Sequence, residues 1–192
     1  WHQRWGRLGG STFCSATNFS GQMDVTPIIA TQDGLVDLVQ WIELAQTSLH
    51  IHVYQLQQMN LFNAILDAQN SGVDVTIVLD AGDEYFWSNY DMNMQYGLAA
   101  ELSNAGANVL WFSASNNDPY LFIHSKVAVR DGQSVWMGSG NWKPSSMPLP
   151  DAWGNRDWGV IVDHAGFANE VLTQMQHDED VSLQHIRQAT AS

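Results

Sequence analysis

Positive charge is scarce in this chain. Seven Lys and Arg stand against twenty Asp and Glu among 192 residues, for a net charge of −13. Such a polyanion repels nucleic acid and anionic membrane at long range, and salt relieves the repulsion. An anionic substrate must then be held by a local cluster of cations. Lys126, Arg130, Lys143 and Arg156 fall within one short window, which predicts a positive pocket in a negative surface. Cysteine is nearly absent: Cys14 alone excludes an intrachain disulfide and a Cys-built metal cluster. No apolar run approaches the length of a membrane span, and no signal-peptide pattern opens the chain. Because it begins on Trp1, a processed form or an excised piece is expected. An export signal, as for a secreted or periplasmic protein, would lie outside it.

What is present suits one packed domain. Apolar residues make up 45 % of the chain, enough for a full core at this length. Residues 1–22 carry Gly6, Gly9, Gly10, Ser11 and Ser20 among Trp1, Trp5 and Phe19 and read as an irregular arm. A single domain follows over 23–192. Met23 to Ala30 predicts a strand placed at an edge or strand end by Pro27. Asp33 to Thr47 has helical spacing, with Asp33 as the cap and Leu35, Leu38, Val39, Ile42 and Ala45 on one face. Ser48 to Gln55 alternates as a strand, setting Leu49, Ile51 and Val53 against His50, His52 and Tyr54. The two histidines read as the polar side of a half-covered strand rather than a metal pair, since no third ligand lies nearby in sequence.

Asn60 to Asn70 predicts a second helix closed by Gly72, and Val73 to Asp80 a buried strand parallel to the one before. Asp80 ends that strand either as a functional group or as a turn former. Asp83 to Tyr96 collects Tyr85, Phe86, Trp87, Tyr90, Met92, Met94 and Tyr96, a core cover or a substrate wall. A helix over Leu98 to Ala105 and a strand over Asn108 to Ser113 come next. The polar loop Ser115 to Tyr120 leads to a hairpin, the Pro-bearing loop Lys143 to Asn155 leaves it, and a strand over Trp158 to Asp163 and a helix over Gly166 to His177 follow. Asp178-Glu179-Asp180 reads as a solvated tail. The coarse order β-α-β-α-β-α-β-β-β-α predicts an α/β domain, a mixed sheet flanked by helices on both faces.

The informative stretch is Phe122 to Trp142, FIHSKVAVRDGQSVWMGSGNW. Ile123, Val127 and Val129 alternate with His124, Lys126, Ala128 and Arg130, so an imidazole and an ammonium two residues apart share one side of a strand. A base beside a cation suits a phosphate: one group attacks or shuttles a proton while the other holds negative oxygens. Asp131 follows Lys126 after four residues, and Gly138-Ser139-x-Asn141 follows after six more. Six specified residues at roughly one in twenty each give a chance match on the order of one in several hundred thousand for such a chain.

The pattern resembles the HxKxxxxD and GSxN signature of the phospholipase D superfamily, and Asn155-Arg156-Asp157 is similar to the Asn-x-Glu that follows it in many members. The resemblance implies that His124 is a nucleophile forming a phosphohistidine. It implies that Asp157, one methylene shorter than Glu, orients the ring, and that Lys126 and Asn141 bind the non-bridging oxygens. Ser139, Arg156 and Asp131 would support them, Asp131 by pinning the hairpin. Neither metal nor other cofactor is implied. The family's reaction uses two such histidines and this chain has one motif. A homodimer sharing one site, or a second motif-bearing half outside this chain, is therefore expected, with His50 or His52 as a remote substitute. The implied substrate is DNA or RNA, as for small single-motif endonucleases that act as homodimers, with phospholipid as the alternative.

Overall fold

The computed structural model describes Phe19 and residues 21–81, 88–112 and 122–190. The elements are β1 (Asp24–Ile29), α1 (Gly34–Glu43), β2 (Ser48–Val53), α2 (Met59–Asn70), β3 (Asp74–Asp80), α3 (Asn89–Asn104), β4 (Asn108–Phe112), β5 (Lys126–Arg130), β6 (Ser134–Gly138), β7 (Trp158–Asp163) and α4 (Ala165–Thr190). Four strands run in succession before α4, one more than the predicted order allowed, because the signature stretch supplies both arms of a hairpin. The arm over 1–18, the aromatic trio Tyr85, Phe86 and Trp87 and the loop 115–120 lie outside the described residues.

The strands form one sheet in the order β1-β7-β6-β5-β2-β3-β4. Parallel pairing joins β2 to β3 and β3 to β4, and the other neighbours are antiparallel. Pro27 lies in the edge strand β1, where its missing N–H costs no interior ladder bond. On one face, Leu49, Ile51, Ile77, Ala128 and Trp136 pack with Leu35, Leu38 and Ile42 of α1, Leu61 and Ile65 of α2, and Leu98 and Leu102 of α3. On the other face, Val129 and Val135 pack against Ala168 and Met175 of α4. Alternation along the strands produces both layers, as an interior sheet with helices on each side requires. Asp33 does take the position before α1, but its side chain makes no capping bond.

The chain's end differs from expectation. Residues 178–180 are helical, and the Glu179 side chain is only 12 % exposed. Its Oε1 lies 2.9 Å from His50 Nδ1 and 3.4 Å from His52 Nε2, with Asp178 3.8 Å from His52 Nδ1. The polar face of β2 is thus covered by α4, and its carboxylates serve the histidines rather than the solvent. Contacts with both histidines hold the Glu179 carboxyl down at about 2, against a burial that acts the other way. Sequence proximity could not reveal partners 129 residues away. Even so, the described residues hold no group of three or more His, Cys, Asp or Glu arranged to bind a metal ion.

Candidate active site

The signature residues other than Asp131 gather at one end of the sheet, where β2, β3 and β6 finish and β5 and β7 begin. Lys126 opens β5 opposite Val53, the last residue of β2. His124 stands two residues earlier and is exposed, whereas Lys126 is 6 % exposed. The Lys126 ammonium lies 3.1 Å from Nδ1 and 3.3 Å from Nε2 of His124 and donates to the His124 carbonyl at 2.9 Å. Tyr54 backs the pair, its ring 4.9 Å from the imidazole and 5.8 Å from Lys126 Nζ.

Electrostatics sets the protonation states. Partial burial, then the neighbouring ammonium, moves the His124 pKa below its ordinary value. A neutral ring keeps a lone pair free to attack. Burial also lowers the pKa of Lys126, partly countered by Asp157.

The turn after β6 is held from two sides. Ser139 donates to Asp157 Oδ1 at 2.7 Å, and its Oγ accepts the Trp158 N–H at 3.2 Å. Asp157 lies so close over the turn that a Cβ on Gly140 would meet its Cγ at 2.9 Å and its Oδ2 at 3.0 Å. The third position of the GSxN turn therefore tolerates only glycine without movement. Asn141 donates from Nδ2 to Gln55 Oε1 at 3.0 Å, which leaves one amide N–H for a ligand, while its Oδ1 is buried without a donor. Trp142 seals the turn against the segment after β2, its carbonyl accepting from the N–H groups of Gln57 and Gln58.

Two expectations need correction. Asp157 makes no hydrogen bond to His124 among the described residues; its Oδ1 takes the Ser139 hydroxyl, in keeping with the short reach of an aspartate. Arg130 does not line the site. It sits at the other end of β5, donates to the Trp41 carbonyl at 2.9 Å and stacks on the Trp41 ring at 5.2 Å. Asp131, at the far end of the hairpin from His124, does pin it as the resemblance implied. Its carboxylate accepts from the N–H groups of Gln46, Thr47 and Ser48 and from the Thr47 hydroxyl, tying the hairpin turn to the start of β2. Lys126 and Arg156 remain at the site's end, while Lys143 lies near enough to Asp91 to add to the effect of Ser88 in lowering that carboxyl's pKa.

Two side chains without a local sequence signal shape the site from behind. Asp80, the last residue of β3, is buried, and its Oδ2 accepts the Ile123 N–H at 3.2 Å, next to His124. Gln95 of α3, 1 % exposed, accepts from the Leu56 N–H at 2.8 Å and donates to the Asp80 carbonyl at 3.0 Å. One amide thereby joins the ends of β2 and β3. His50 and His52, engaged by Glu179 beneath α4, are not available as substitutes for a second catalytic histidine.

An exposed imidazole, a lysine against its ring and a Ser-Asn turn fastened to a carboxylate define a phosphate-handling site of the phospholipase D type. The family described as cardiolipin synthase, PLD-like domain, matches residues 38–179, and the chain belongs to that phospholipase D superfamily. None of the curated proteins matches it. Among solved structures it is similar to the phospholipase D family member Nuc from Salmonella typhimurium, with TM-score 0.68 and 20 % identity over 84 % of this chain and 96 % of that one. NucT from Helicobacter pylori gives 0.66 and 20 %, over 84 % and 98 %. Phosphatidylserine synthase from Haemophilus influenzae Rd KW20 gives 0.57 and 15 %, over 88 % of this chain and 40 % of that one.

Proposed function

We propose that this protein is a metal-independent phosphodiesterase that hydrolyses nucleic-acid phosphodiester bonds through a phosphohistidine. The observation that carries the reading is the exposed His124 ring with the Lys126 ammonium against it and the Ser139–Asn141 turn at the same end of the sheet. His124 attacks phosphorus, the bond to the leaving oxygen breaks, and that oxygen takes a proton from a second histidine. Water then attacks the phosphohistidine and gives its proton to the same base, which restores both rings. Lys126 and the remaining N–H of Asn141 stabilise the charge that builds on the non-bridging oxygens. Ser139 positions Asp157, whose charge supports Lys126 as a cation.

The second histidine comes from a second copy of the chain across a twofold axis. The single signature motif of the chain, in a reaction that uses two such histidines, supports this arrangement. Loss of the general acid would forfeit roughly 10²- to 10⁴-fold in rate, so an active protein needs the pairing.

Incubation in EDTA with plasmid DNA and with phosphatidylcholine vesicles, at several salt concentrations, tests the reading alongside sedimentation. The expected result is DNA cleavage by a dimer that survives EDTA, strengthens up to moderate salt and disappears in His124→Ala. Cleavage abolished by EDTA would sink the metal-free mechanism. Turnover of the vesicles alone would transfer the site to phospholipids.

A further inference from the structure

A large flat aromatic ring that stands partly in water can accept a stacked partner on its open face. Trp158, 55 % exposed, sits where β7 starts, between Asp157 of the site and the strand. Its backbone is locked to the site from both directions, as Ser139 N–H donates to the Trp158 carbonyl at 2.9 Å while Ser139 Oγ accepts the Trp158 N–H. Arg156 lies over the same ring, its Cζ 5.6 Å from the centroid, and donates from Nη1 to Thr31 Oγ1 at 3.3 Å. Among the described residues Arg156 makes no salt bridge, in a chain with twenty carboxylates. Indole and guanidinium thus offer a flat apolar surface beside an unneutralised cation, next to Ser139 and Asp157.

We propose that Trp158 and Arg156 form a subsite for the nucleotide adjoining the scissile phosphate in single-stranded nucleic acid. The base stacks on the indole and the neighbouring phosphate meets the guanidinium. The proposal rests on the nuclease reading and adds strand preference to it. Bases in a duplex are already stacked on each other, whereas an unpaired base gains by stacking on a ring. An Arg–Trp pair also answers both parts of a nucleotide, the ring meeting the flat base and the guanidinium the phosphate. The exposed Leu149 and Trp153 of the loop before Asp157 make lipid contact the outcome to be tested against it.

The experiment compares the full-length protein with Trp158→Ala and Trp158→Phe on a single-stranded oligothymidylate and on the same strand carrying abasic residues. On oligothymidylate, Trp158→Ala is expected to lower kcat/KM by about 5- to 150-fold, and Trp158→Phe to keep most of the activity, because a phenyl ring still stacks. On the abasic strand the Ala variant and the wild type should converge. An equal loss on both strands, no loss on either, or a loss confined to phosphatidylcholine vesicles would overturn the subsite. Anisotropy of fluorescein-labelled oligothymidylate on His124→Ala, with and without Trp158→Ala, needs no turnover. Trp158-dependent binding without any cleavage by the wild type would remove the nuclease reading and leave the subsite standing. Cleavage indifferent to Trp158 would remove the subsite alone.

Discussion

Asp131 belongs to the motif that identifies the family, yet its geometry assigns it to folding, and Asp131→Asn separates the two. Asp131 and Gly132 have φ of +55° and +61° in the turn between β5 and β6. Asn accepts the left-handed conformation about as well as Asp, so the substitution changes charge rather than backbone. The carboxylate takes three backbone N–H groups and one hydroxyl at 2.7–3.1 Å. These bonds hold its pKa below the usual value despite opposing burial. Hydrogen bonds to a charged acceptor contribute about 1.5–3 kcal/mol each, against about 1 for a neutral one. The bonds share one acceptor and are partly open to water, so the loss should be about 2 kcal/mol rather than the sum. With an m-value near 2 kcal/mol/M, the urea midpoint should fall by roughly 1 M at pH 7. Because the pKa is depressed on folding, this stabilisation is present above about 3.9 and fades at lower pH, where the two proteins should converge. Activity per folded molecule should hold, since β5 places Asp131 five residues of strand beyond Lys126, roughly 17 Å away. An unchanged midpoint with lost turnover would refute the reasoning and return Asp131 to the chemistry.

The depressed pKa of His124 predicts that kcat/KM falls as pH drops through a value below 6.5, where the ring protonates and loses its lone pair. NMR titration of the ring should place its pKa below 6.5, and Lys126→Met should raise it only in part, because burial is the larger cause; a value at or above 6.5 in the wild type contradicts the electrostatics. Glu179→Gln should lower stability at neutral pH by about 2–3 kcal/mol, through the linkage of a lowered carboxyl. Since the carboxyl titrates at about 2 rather than 4.5, the difference should be complete above 4.5 and vanish as pH falls toward 2. Thermal or urea unfolding across that range checks it, and a solvated tail would show no difference.

The local elements were legible because each depends on a short-range period. Leu49, Ile51 and Val53 alternate, Leu35, Leu38 and Ile42 recur at helical spacing, and Pro27 marks an edge, so strand, helix and edge position follow from near neighbours. His124, Lys126, Ser139 and Asn141 were legible for another reason: a two-arm hairpin is a local structure, and it carries all four. The Glu179 contact was not, since it depends on how α4 crosses the sheet, and the acidic run looked like an ordinary solvated end.

Chain order alone therefore determined the chemistry present: an imidazole two residues before a lysine, a Ser-Asn turn six residues past an aspartate, and a carboxylate beyond a Pro-bearing loop. Tertiary packing decided which of these meet. It turned Asp157 to Ser139 rather than to His124, sent Arg130 to Trp41, and set Asp131 at the far end of the hairpin. It also recruited Gln55 to Asn141, the Asp80 carboxylate to the Ile123 N–H beside His124, and Gln95 to the ends of β2 and β3. Those pairings join residues far apart in sequence, where no local pattern constrains direction or distance, and only the packed sheet brings their polar atoms within bonding range.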